Sequence, residues 1–155
     1  MRLMTREVHI AGIIPEPCET WMLQTARNPT DACDGFLRGN RFLIHDRSAL
    51  FTEQFRATLK SAGVAPLRLP VRSPNLNAFA ERFVRSIKAS CVERMICFGE
   101  SALRRVVSEF ALHYHTERNH PGLENKIIRP EFTEFPDIGT IRSRQRLGGL
   151  LRYYY

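Results

Sequence analysis

Residues 43–55 read LIHDRSALFTEQF. The apolar run Phe42, Leu43 and Ile44 predicts a short strand over residues 42–44. It ends on the charged triplet His45-Asp46-Arg47. The pattern then changes period. Phe51, Phe55 and Leu59 recur at i, i+4 and i+8, which predicts a helix over residues 52–62 with Gly63 as its stop. A strand that runs through a short turn into an amphipathic helix is an α/β element. Enzymes of that class gather chemistry at strand ends. Asp46 therefore has two readings, a turn residue or a metal ligand.

Working outward, residues 7–14 (EVHIAGII) alternate β-branched residues and predict a strand, ended by Pro15 and Pro17. Thr20 is positioned to cap a helix through WMLQTARN, and Asn28-Pro29 stops it. Residues 31–40 carry Asp34-Gly35 and Gly39-Asn40 and read as loop. Residues 65–69 are a candidate short strand. The loop VRSPNLN leads from there into a longer helix, from about Asn77 to Cys91. Phe98-Gly99-Glu100 breaks the pattern. A further helix over residues 101–116 places Leu103, Val106, Val107, Phe110 and Tyr114 on one stripe. The final IRSRQRLGGLLRYYY reads either as a hairpin around Gly148-Gly149 or as a loose basic-aromatic tail. The expected organisation is a core over residues 1–136 and that tail or hairpin over residues 137–155.

The bulk properties narrow the function. The chain has 155 residues, 43% hydrophobic and 25% charged, ordinary values for one globular domain. No stretch approaches the roughly 18 uninterrupted apolar residues of a membrane span. The N-terminus lacks the apolar core of a secretory signal, so a cytoplasmic setting is expected. A formal net charge of +7 and a pI near 9.7 favour an acidic partner, nucleic acid first among them. The four cysteines (Cys18, Cys33, Cys91 and Cys97) form no CxxC, and their spacing does not suit structural zinc. They read as reduced thiols. His113 and His115 read as helix surface. GxSxG, P-loop and GxGxxG motifs are absent, which argues against the hydrolase and nucleotide-binding classes they mark.

On a helical wheel of about 100° per residue, Phe79, Ala80, Phe83, Val84, Ile87 and Cys91 share one broad sector, expected to face a core. Glu81, Arg85 and Lys88 fall on the opposite side. The simplest account of that side is a solvated face with an i,i+4 Glu81–Arg85 pair, stabilising the helix by a few tenths of a kcal/mol. The functional account makes Glu81 a metal ligand, with the two cations holding phosphates beside it. Asp46 at a strand end and Glu81 in a first helical turn suit hard-cation chemistry. Two-metal phosphoryl transfer draws oxygen ligands from separate elements in this way.

Three stretches carry a family resemblance: LIHDRSALFTEQF, RSPNLNAFAERFVRSIKASCVERM and FALHYHTERNHPGL, in this order within residues 42–123. Together they resemble the catalytic core of DDE integrases and transposases, the retroviral-integrase-like branch with an RNase H-like fold. Within that branch they are most similar to bacterial insertion-sequence transposases. The resemblance implies a mixed sheet flanked by helices. It implies Asp46 and Glu81 as the second and third acidic ligands of a site for two Mg2+ or Mn2+ ions. It implies DNA contacts from Arg72, Asn77, Arg85 and Lys88, with Pro74 to Asn77 as the loop before the catalytic helix. Tyr114, Arg118 and His120 match the family's Y-x-x-x-R-x-H segment, expected to be mainly structural, with DNA contact by Arg118 and His120 as the lesser option. The implied partners are DNA, as element ends and target, and further copies of the chain. The implied setting is a bacterial cytoplasm, at the nucleoid.

The first acidic ligand of that family lies on a strand upstream of TREVHIAG. Met1 stands only four residues before Thr5. Asp31 and Asp34 fall on the wrong element. The expectation is a core without its first strand and most of its second, with little strand transfer from this chain alone. The competing expectation is a non-catalytic DNA-binding or interaction remnant that uses Arg72, Arg85, Lys88 and the arginines of the tail.

Overall fold

The computed structural model describes residues 1–130 and 141–155. These form two compact units, His9–Ala78 and Met1–Val8 with Phe79–Tyr155, taken in turn. The expected boundary at residues 136 and 137 lies outside the described residues.

In the first unit, helix α1 (Glu19–Arg27) starts one residue before Thr20. Cys18 takes the extended N-cap position without a side-chain hydrogen bond. The acidic Glu19 in the first turn complements the positive end of the helix dipole instead. Pro29 ends the helix as expected, inside a 3-10 turn (Asn28–Thr30) where it is buried. Residues 31–40 are turns. Gly35 is required there, because a Cβ at this position would sit 2.4 Å from the carbonyl oxygen of Asp31.

Strand β1 (Phe42–His45) pairs in parallel with β2 (Ala65–Arg68), with Ile44 opposite Leu67. Helix α2 (Glu53–Ser61) is the crossover between them. Thr52 caps α2 by accepting from the Phe55 N–H at 3.3 Å. Thr52→Ala is expected to cost about 1 kcal/mol, read as an earlier urea midpoint for this unit. Gly63, at φ +78°, closes the helix as its Val64 neighbour donates back to the Leu59 carbonyl. One face of this βαβ element buries Phe55, Leu59 and Val64 with Met22 and Ala26 of α1.

The strand expected over residues 7–14 does not form. A strand exists through a partner's ladder of hydrogen bonds. Here the Val8 N–H goes to the His115 ring at 2.9 Å, and Ile10 and Ile14 are exposed. Alternation of side chains was present without a second strand to answer it.

In the second unit, α3 (Ala78–Ser90) packs with α4 (Gly99–Thr116). α4 begins two residues earlier than its pattern predicts. Phe83, Ile87 and Cys91 meet Val106, Phe110 and Tyr114, and Leu151 closes the cluster. The aromatic rings meet edge-on: Phe83 lies 5.7 Å from Phe110 and 5.0 Å from Tyr114. The buried stripe of α3 is narrower than its wheel suggests. Phe79 and Val84 are exposed, at 38% and 47%. The buried positions 83, 87 and 91 are spaced four apart, one ridge of the helix.

The final segment is a hairpin. β3 (Ser143–Arg146) pairs antiparallel with β4 (Leu151–Tyr154), and the turn lies at Gly148-Gly149. The α/β character expected from the sequence is present. The described strands form two separate two-stranded sheets, and a larger mixed sheet is not among them.

Candidate nucleic-acid interface and metal-ligating residues

Asp46 follows β1 and is exposed. Its Oδ1 accepts the Ser48 N–H at 2.8 Å, the work of a turn residue. Its other carboxylate oxygen has no hydrogen bond among the described residues. The turn is anchored by His45, which is buried. The His45 ring Nδ1 lies 2.7 Å from the Asp46 carbonyl oxygen, and the ring packs 4.6 Å from that of Phe51. One oxygen of this exposed residue thus does the turn work.

Glu81 stands in the first turn of α3, exposed, where the helix dipole favours an anion. Arg85 and Lys88 are also exposed, as the wheel predicts. The i,i+4 ion pair between Glu81 and Arg85 is not made among the described residues. Arg72 is exposed in the preceding turn, at φ +58°. Pro74–Asn77 is a 3-10 turn leading into α3, with Asn77 half-buried.

Asp46 and Glu81 fall in different units. Each is a hard oxygen donor of the kind Mg2+ and Mn2+ prefer. Among the described residues no three His, Cys, Asp or Glu side chains are grouped to hold a metal ion. The donor type of each carboxylate fits a divalent cation.

Arg118 and His120 turn inward. Arg118 donates to the Ser86 hydroxyl, and its guanidinium lies 5.8 Å from the Tyr114 ring. His120 is buried, its Nε2 is 2.8 Å from the Tyr114 carbonyl oxygen, and its ring meets that of Tyr114 edge-on at 4.5 Å. The His120 N–H donates to the Lys126 carbonyl, and its own carbonyl accepts from Leu123 and Asn125. This segment closes the end of α4.

His113 and His115 are not a plain helix surface. His113 Nδ1 is 2.8 Å from Glu117, whose side chain is only 1% exposed. Glu117 also receives Arg146 at 2.6 Å and Arg144 at 3.3 Å from the hairpin. Burial alone would raise the Glu117 carboxyl, but hydrogen bonds from Arg146 and His113 bring it below its usual range. No local signal in the sequence marks this network, because its arginines arrive from 27 and 29 positions away.

The His115 Nε2 accepts the Val8 N–H, so the ring is neutral with its proton on Nδ1. Burial lowers its pKa, the Arg129 charge adds to that, and Glu7 opposes. Burial also lowers His120 and His9. A histidine whose folded pKa is depressed is protonated first in the unfolded chain. Stability from these groups is present above the unfolded value of about 6.5 and declines as pH falls from there towards the folded values. The expected result is a melting temperature that drops between pH 7 and pH 5. His115→Gln keeps an acceptor without titrating, so its profile should be flatter.

No described helix is long and apolar enough to cross a membrane. Residues 62–127 match the family model described as integrase core domain, less than half of the chain. The match takes in Arg72, Asn77, Glu81, Arg85, Lys88, Arg118 and His120, and leaves Asp46 outside. No curated protein and no solved structure matches the chain.

Proposed function

We propose, on the premise that residues 62–127 belong to the integrase core domain family, that the chain acts on DNA in transposition or integration. The match itself carries this reading. The exposed Glu81, Arg85 and Lys88 on α3, inside the matched segment, support it. An RNase H-like arrangement is the fold this reading implies.

In this reading Arg85 and Lys88 neutralise backbone phosphates without reading sequence, and Arg72 and Asn77 contact DNA from the turn before α3. Arg118 and His120 act mainly by shaping the end of α4. Asp46 and Glu81 are the proposed ligands for Mg2+ or Mn2+. A divalent cation held by these carboxylates would act as a Lewis acid towards a phosphodiester oxygen. The reaction class is transfer of a DNA strand to water or to a 3′-hydroxyl. Copies of the chain working together on paired DNA ends belong to the same reading. A second reading, DNA binding without catalysis, has its own support: Arg85 and Lys88 are exposed and need no metal to hold phosphate.

The test is duplex-DNA affinity of the full chain against salt. The expected log–log plot is steep, and Arg85→Ala with Lys88→Ala makes it less steep by about two. Absence of binding at low salt overturns both readings. Mn2+ titration followed by electron paramagnetic resonance separates them. Weaker Mn2+ binding in Asp46→Asn and Glu81→Gln supports the ligand assignment. Unchanged binding in both variants removes it and leaves DNA binding alone.

A further inference from the structure

Several arginines among the described residues meet a carboxylate at close range. Arg2 and Arg129 share Glu7, at 2.7 Å each. Arg144 and Arg146 share Glu117, and Arg56 pairs with Glu53. Arg6, Arg82 and Arg118 differ. Among the described residues none of the three meets a carboxylate, although all three belong to one unit and converge on two aromatic rings. The Arg6 guanidinium carbon lies over the Phe79 ring, 3.5 Å from its centroid. Arg82 approaches the same ring at 5.9 Å. Arg118 stands 5.8 Å from Tyr114.

Arg6 and Arg82 share the Phe79 ring, and Arg118 reaches Ser86, one turn along α3 from Arg82. Like charges set this way repel, a cost that the aromatic contacts only partly offset. Two further features add to that cost. Arg6 adopts φ +60°, a conformation that strains a side chain with a Cβ. Its Nη1 is buried with no hydrogen-bond partner, a donor removed from water without compensation. The Tyr114 phenol registers the same convergence. Burial raises its pKa, and Arg118, Arg6 and Arg82 all act on it in the opposite direction. A tetrahedral oxyanion between these groups would relieve the repulsion and the uncompensated donor, though not the backbone strain. It would satisfy the orphan N–H, neutralise the shared charge and accept from several planar forks at once.

We propose that Arg6, Arg82 and Arg118, beside the rings of Phe79 and Tyr114, form a binding site for one phosphate group, and that its natural source is a backbone phosphate of DNA. The source rests on the DNA reading above; the phosphate site does not. Within that reading the site lies at the start of α3, on the helix that bears Glu81. It would set where a strand enters, as a contact that positions DNA and does not read bases.

The experiment uses the full chain and two probes, inorganic phosphate and a short DNA duplex. Arg6→Gly and Arg82→Ala are compared with the parent. Glycine takes positive φ without strain, so Arg6→Gly removes the cation while easing the backbone, and circular dichroism checks that both variants fold. Phosphate is expected to raise the parent's melting temperature over chloride at equal ionic strength, and to do so much less in either variant. In the DNA titration each variant should be less steep in salt by about one, and the double variant by no more than that, because one phosphate is shared. Equal phosphate shifts and equal slopes in parent and variants overturn the site while leaving DNA binding standing. A phosphate shift that is lost in the variants, in a chain that binds no duplex at low salt, supports the site with free phosphate as its ligand and overturns the DNA reading. Slopes that fall further in the double variant overturn the single shared phosphate.

Discussion

Glu117→Gln is expected to destabilise the unit containing α3, α4 and the hairpin by about 3–5 kcal/mol, the range for removing one partner of a buried ion pair. The carboxylate ends α4 and is met by three side chains, the guanidinium groups of Arg146 and Arg144 and the ring of His113. Arg146 is itself only 13% exposed and is bound on its far side by Glu109 at 2.9 Å. The hydrogen bonds it donates to Glu117 hold the Arg146 guanidinium even more firmly protonated than usual, against a smaller opposing effect of burial, with Glu109 adding to the hold. Neutralising Glu117 strands that charge. A urea titration reads the effect as a lower midpoint with an unchanged slope. Replacing both Glu117 and Arg146 by apolar residues should recover much of the loss, because no buried charge then lacks a partner. If Glu117→Gln leaves the midpoint in place, the network does not tie the hairpin to α4. The carboxyl also contributes to acid lability. Its folded pKa lies below the unfolded value of about 4.5, so its contribution is present above that value and is lost as pH falls through the folded one.

Phe110→Ala should have an effect of similar size, about 3–5 kcal/mol, through a different cause. Phe110 is 1% exposed and touches the rings of Phe83 and Tyr114. Truncation removes an aromatic ring from the centre of the α3–α4 contact, and the neighbouring rings cannot collapse fully into the space. Because α3 bears Glu81, Arg85 and Lys88, the same substitution should weaken duplex binding as the helix loses its support. Phe110→Leu retains most of the volume and should retain most of both properties. A thermal melt that is unchanged in Phe110→Ala would mean that this contact does not hold the helix.

Much of the local structure was legible from neighbours in the chain. Helices α2 and α4 followed from the i, i+4 recurrence of Phe55 and Leu59 and of Phe110 and Tyr114. Thr52 and Gly63 marked the ends of α2, because a cap is chemistry between residues three or four apart. The strand that delivers Asp46 and the exposed face of Glu81, Arg85 and Lys88 were legible for the same reason. The residues 7–14 were not, since alternation is only half of a strand and the other half is a partner that no local pattern can supply.

The remaining features depend on where distant segments meet. The glycine pair at the end of the chain allowed a hairpin or a loose tail. The choice fell to the hairpin, with Arg144 and Arg146 of β3 bound to Glu117 and Leu151 of β4 set among the buried side chains of α3 and α4. His113 and His115 looked like surface until Glu117 and Val8 were brought to them. Arg6, more than seventy positions from Arg82 and more than a hundred from Arg118, met the Phe79 ring that Arg82 also approaches only once the chain had folded. Electrostatic and aromatic contacts act through space within a few ångströms. Periodicity along the chain reports which face of a helix is buried, and folding alone decides which charges share that space.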